Sequence, residues 1–198
     1  MNKRVALIAI ALTVLSSGAA AQISPCPDGI GIYFDQDASQ FEIAYAGSLT
    51  PLHVYLLLTH PTGDRVLAWE CRITETNTFT VPGAWALNGG LDVDSDPWDF
   101  VVGTEWMPAN APVIMLASKT MYGTATSTAT YTVTGIPGSI SFPGGTPGYV
   151  HTLGFNTPMQ VATGSLGSPQ ACVNMDCGIL VNCVPTAADL AVPSDRCA

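Results

Sequence analysis

The sequence predicts an all-β protein: an antiparallel two-sheet β-sandwich closed by a cysteine-rich, irregular C-terminal tail. Three observations carry that expectation. Short apolar runs alternate with period two, and no segment of a dozen residues shows a helical stripe. Glycine and proline, 19 and 15 of 198 residues, cluster between those runs, where positive φ and a missing ladder donor end strands. Six cysteines, four of them beyond Gln170, form the staple pattern of an exported chain. No internal repeat is present, which argues against propellers and solenoids.

Taken in order, residues 1–21 read as a secretory leader. Lys3 and Arg4 supply the positive start, Val5 to Leu15 the apolar run, and Ala19-Ala20-Ala21 the small-residue cleavage site. That run falls short of the roughly 20 residues that span a bilayer, and no second long apolar segment is present. The expected product is secreted, periplasmic or extracellular, with no membrane span once the leader is removed. Residues 22–166 then form the sandwich domain and residues 167–198 a disulfide-stapled tail. The chain beyond the leader has the size of one domain with a single substantial core.

Within the sandwich, "GIGIYFD" (Gly29 to Asp35) and "QFEIAYA" (Gln40 to Ala46) are the first strand candidates. "LHVYLLLT" (Leu52 to Thr59) is apolar almost throughout, as a strand covered on both faces requires. The turn "HPTGD" joins it to "VLAWECRIT", where Leu67, Trp69, Cys71 and Ile73 alternate with Val66, Ala68, Glu70 and Arg72. "FVVGT" (Phe100 to Thr104), "PVIMLASKTMY" (Pro112 to Tyr122) and "TATYTVT" continue the series, the last with Ala129, Tyr131 and Val133 on one face. Shorter candidates lie at Ser139 to Phe142, Tyr149 to Leu153 and Met159 to Ala162.

Charge narrows the function classes. Beyond the leader only Arg65, Arg72, Lys119 and Arg196 are basic, against 15 acidic residues, so the surface repels phosphate backbones and nucleic acid is not an expected partner. No G-x-S-x-G elbow, S-x-x-K or H-E-x-x-H is present, and His53, His60 and His151 are scattered. The balance favours a protein that is not an enzyme.

Three constellations remain. Cys26, Cys71, Cys172, Cys177, Cys183 and Cys197 are expected to form disulfides; spacing alone does not fix the pairing, and we favour Cys26 with Cys71 plus two bridges within the tail. In "GLDVDSDPWDF", Asp92, Asp94, Asp96 and Asp99 could ligate calcium. The first three match alternate ligand positions of a helix-loop-helix calcium motif, but Pro97 replaces the turn glycine and Gly103 the bidentate glutamate. A solvated acidic turn is therefore the favoured reading, with calcium the one cofactor kept in view. Trp85, Trp98 and Trp106, interleaved with these aspartates and Glu105, could form a sugar platform, where indoles stack on a pyranose face beside carboxylates that accept its hydroxyls. Burial in the sandwich core is the competing role for the three indoles, and the expected one for Trp69.

The segments "PLHVYLLLTHPTGDRVLAWECRIT", "NTFTVPGAWALNGG" and "DFVVGTEWMPANAPVIMLASKTM" together resemble the strand layout of secreted bacterial cohesin-like and carbohydrate-binding-module-like sandwiches. The resemblance covers about Ile30 to Tyr122 and carries no binding residue over; the cysteine-rich tail departs from cohesins. It implies a non-catalytic module that engages an extracellular glycan or protein through the 85–106 loop region. The alternative is a small secreted hydrolase, glycosidase-like, using acids of the same loops such as Asp96 or Asp99 with Glu105.

Overall fold

A computed structural model describes residues 26–47, 50–152, 154–179 and 181. Residues 1–21, expected to be a leader, and Cys183 and Cys197 lie outside the described residues. Among the described residues thirteen strands form two sheets: β1 Gly29–Tyr33, β2 Glu42–Ile43, β3 Leu52–Thr59, β4 Arg65–Asn77, β5 Ala86–Leu87, β6 Gly90–Asp92, β7 Asp99–Pro108, β8 Val113–Met121, β9 Ala129–Thr134, β10 Gly148–Val150, β11 Asn156–Pro158, β12 Gln160–Val161 and β13 Ala171–Val173. The chain is all-β, as its alternation predicts.

The first sheet runs β12-β1-β3-β8-β5. The second runs β11-β10-β4-β9-β13-β2, with β7 on the other edge of β4 and β6 beyond it. Strand β4 is long enough to serve three neighbours. Trp69 pairs with Val102 of β7 on one side and Tyr149 of β10 on the other, while residues from Arg72 onward pair with β9. Both sheets are mixed and not purely antiparallel, because β1–β12 and β13–β2 are short parallel pairs.

The core lies between the sheets. Ile30, Ile32, Val54, Leu56, Leu58 and Leu116 from one sheet meet Trp69, Ile73, Val102, Tyr131, Val133 and Tyr149 from the other, all essentially inaccessible. Each such side chain stabilises the fold by about 1.5–3 kcal/mol relative to exposure. Trp69 stacks on Phe100 with centroids 6.1 Å apart, so it takes the core role expected of it.

Two bulges decide which residues face inward. Between Val66 and Ala68 of β4, Leu67 alone spans the stretch that Thr104, Glu105 and Trp106 span on β7. The face therefore switches, and Val66 is buried where simple alternation puts Leu67. The Thr104 hydroxyl donates to the Val66 carbonyl at 2.6 Å and holds the bulge. In β8, register shifts by one residue opposite Leu56/Leu57, which turns Lys119 and Met121 inward after Ile114 and Leu116.

Three expectations are corrected. Ser139 to Phe142 is not a strand: Ile140 is 97% exposed, and only Phe142 is buried, packed over Gly148, where a Cβ would meet its ring at 2.1 Å. Pro137-Gly138 and Pro143-Gly144-Gly145 close that segment into turns on both sides. The region past Leu166 is not wholly irregular either, since β13 inserts between β9 and β2. Gln170 and Asn174 flank this strand as side-chain surrogates for backbone. The Gln170 amide donates to the Val133 carbonyl at 2.8 Å and accepts from the Val133 N–H at 3.1 Å. Asn174 treats Tyr45 the same way, at 3.1 and 2.7 Å.

The third correction concerns cysteines. Cys172 and Cys177 form a disulfide, in the tail as expected. Cys26 is also bridged, but not to Cys71, which is a free and fully buried thiol. Cys71 sits mid-strand on the inner face of β4, opposite Phe100, with no cysteine facing it.

Candidate functional site

Strand β4 carries its inward alternation past the apolar core, so the positions after Ile73 on that face are Glu75 and Asn77. From the facing sheet Lys119 of β8 points to the same place, its side chain only 1% exposed. The Lys119 ammonium donates to Glu75 Oε2, and Asn77 Nδ2 donates to Glu75 Oε1 at 2.8 Å. The same ammonium lies 5.3 Å from the ring centre of Trp85 and 5.5 Å from that of Tyr131, within cation–π range of both. Burial holds the Lys119 ammonium below its usual pKa, opposed by the Glu75 hydrogen bond and charge. Burial, reinforced by Glu75, pushes the Tyr131 phenol far up.

Two loops close over this pair. The first runs from β4 to β5 and is tied to the end of β8 by the Val81–Tyr122 bridge. Gly83 takes φ +68°, and a Cβ there would stand 2.2 Å from the Thr120 carbonyl oxygen, so only glycine lets the loop lie this close to β8. That approach delivers Trp85, half-buried, against the ammonium.

The second loop is the acidic stretch before β7. Its carboxylates fold it upon itself as successive Asx turns: Asp92 accepts the Asp94 N–H at 3.1 Å, Asp94 that of Asp96 at 2.7 Å, and Asp96 that of Trp98 at 2.9 Å. Arg72, outward on β4, clamps its far end. Its guanidinium donates to both Asp99 oxygens, at 2.5 and 3.0 Å, and to Asp96 Oδ2 at 3.0 Å. The Asp99 hydrogen bond, then the charges of Asp99, Asp96 and Asp94, raise the Arg72 pKa. Trp98 lies between the two clamped aspartates and is 43% exposed.

The resulting pocket, of about 280 Å³, is lined among others by Ile73, Glu75, Trp85, Trp98, Phe100 and Lys119. Of the residues the sequence singles out, the structure thus brings Trp85 and Trp98 together. Trp106 and Glu105 line a separate depression with Asn88 and Thr104, where Trp106 is 59% exposed and Arg65 covers its ring at 5.6 Å. Asp92, Asp94, Asp96 and Asp99 serve the loop and Arg72; among the described residues no group of three or more His, Cys, Asp or Glu is placed to hold a metal ion.

Sequence reasoning missed Lys119 and Glu75, the polar floor. One signal was present: Lys119 is the only lysine after Lys3 and stands inside an apolar run. Chemically the floor offers a positive charge and an acceptor side by side beside indole walls, suited to holding a small ligand. A pair of facing carboxylates is not formed by the acids considered for hydrolysis, since Asp96 and Asp99 both engage Arg72 and Glu105 lies elsewhere.

Neither protein-family models, curated proteins nor solved structures gave a match.

Proposed function

We propose that this chain is a non-catalytic binding module of the extracellular or envelope space, which engages a glycan through the pocket between Trp85 and Trp98. One observation carries the reading: two indoles, one 43% exposed, line a single pocket together with an ammonium–carboxylate pair. Aromatic walls with a few fixed polar groups are the usual constitution of a small-ligand site, and an indole face matches the apolar face of a pyranose. The Cys172–Cys177 disulfide fits an oxidising compartment, in agreement with the leader read from residues 1–21. Among the described residues no helix is long and apolar enough to cross a membrane. The resemblance of the sequence to the strand layout of carbohydrate-binding-module-like sandwiches is in keeping with this reading.

A glycan array probed with the purified chain, with and without a chelator, tests the proposal. Chelator-insensitive binding is expected, and Trp98→Ala is expected to weaken it about tenfold, roughly 1.4 kcal/mol. An array that stays blank under both conditions rules the glycan reading out. Chelator-sensitive binding would move the ligand to a calcium site at the acidic loop.

A further inference from the structure

The Lys119–Glu75 pair points to the class of glycan the pocket takes, an inference that rests on the proposed glycan binding. We propose that the pocket receives one uncharged pyranose unit, and that the Lys119–Glu75 pair determines this specificity, Glu75 accepting from a ligand hydroxyl while the buried Lys119 cancels its charge.

Lys119 supplies the positive charge of the floor and Glu75 its open acceptor sites. An ammonium carries three donors. Among the described residues Lys119 has one oxygen partner, Glu75, and otherwise faces the rings of Trp85 and Tyr131. With 1% of its side chain exposed, Lys119 contributes its charge to the pocket and not a free donor. Glu75 retains acceptor capacity, since a carboxylate has about four lone-pair sites and Lys119 and Asn77 are its two donors. A hydroxyl group is both donor and acceptor. A ligand hydroxyl can donate to Glu75, whose side chain is 12% exposed.

Charge excludes the alternatives. The two floor residues cancel, and the whole chain carries a formal charge of −9. A uronic acid would bring a second carboxylate beside Glu75, whose side chain is only 12% exposed, and like charges there repel. An amino sugar would place its ammonium in competition with Lys119 for the same carboxylate and the same ring faces. Only a neutral ligand leaves the pair intact. Size sets the remaining limit: about 280 Å³ lies just under the roughly 300–1,000 Å³ of drug-sized sites, which suits one ring and not an extended chain.

Titration calorimetry on the leaderless chain with methyl glycosides of glucose, galactose and mannose, against glucuronic acid and glucosamine, provides the test. At least one neutral glycoside is expected to bind, with both charged sugars weaker by about tenfold or more. The double variant Lys119→Met/Glu75→Gln, which removes both charges at similar volume, is expected to lose that preference and most of the affinity while keeping its thermal transition. Failure of every saccharide, together with a blank array, overturns glycan binding itself. Equal or tighter binding of a charged sugar, or an unchanged preference in the double variant, overturns this inference and leaves the glycan reading standing. The wild-type panel decides the question even where the variant does not fold.

Discussion

Lys119 loses nearly all its hydration on folding, with 1% of its side chain exposed, and recovers it from one carboxylate and two ring faces. Removing one member of such a pair leaves the other buried and alone, whereas removing both restores neutrality. Lys119→Met is therefore expected to lower stability by about 3 kcal/mol, and the double change with Glu75→Gln to restore most of it; urea denaturation of the two variants measures both. A single variant as stable as the parent would show that Glu75 needs no partner. The sign of the pH effect follows from the lowered pKa. Just below 10.5, its ordinary value, the unfolded chain holds more protons at this lysine than the folded one. The contribution of Lys119 to stability therefore rises with pH through that window, opposite to a lysine whose pKa is raised by its partner. Sequence alone placed two indoles of this site, because tryptophans between acidic residues stand out. It could not place the lysine: inward alternation from Ile114 and Leu116 sends residue 119 outward, and only the extra residue in β8 reverses it.

At the level of elements, legibility tracked length and pattern. Leu52–Thr59 matches its expected bounds, since eight nearly continuous apolar residues between Pro51 and the His60-Pro61 turn have few alternatives. Strand β7 extends past Thr104 because it pairs with β4 again beyond the bulge at Leu67, and β4 extends past Thr74 because Glu75, Thr76 and Asn77 pair with β9. Strand β13 was invisible, for three residues carry no period. What makes it a strand is the pair of amides at its ends, a tertiary device. Gln170→Leu should accordingly strip both Val133 backbone groups of their partners and cost about 2–5 kcal/mol. Hydrogen exchange is expected to quicken at Val133 ahead of the rest of β9; unchanged protection there would show that β9 does not depend on the plug.

Across the whole molecule, burial of phenols sets the alkaline limit. Desolvation, aided by Asp35, raises the Tyr33 pKa, and desolvation with Glu75 raises that of Tyr131. Tyr149 is pushed up to about 12 by burial and by its 2.6 Å hydrogen bond to Asp28. Between the ordinary tyrosine value of 10.0 and those raised values the folded chain keeps protons that the unfolded chain releases. Stability is thus fully present below pH 10 and falls as pH climbs through the window. Absorbance at 295 nm should show these three phenols ionising only together with loss of far-ultraviolet ellipticity. Smooth ionisation of all six tyrosines while the ellipticity persists would mean that the core admits hydroxide.

Basic side chains are few among the described residues, and each is woven into a sheet: Arg65 and Arg72 in β4, Lys119 in β8. Each also has a carboxylate partner, in Asp64, Asp99 and Glu75. A trypsin-like protease needs a basic side chain in its own specificity cleft, on a segment pulled free of neighbouring strands. The native chain offers it no such scissile bond among these residues. In a compartment shared with digestive enzymes of that class, cleavage after Arg65, Arg72 or Lys119 would wait on local opening of the sandwich.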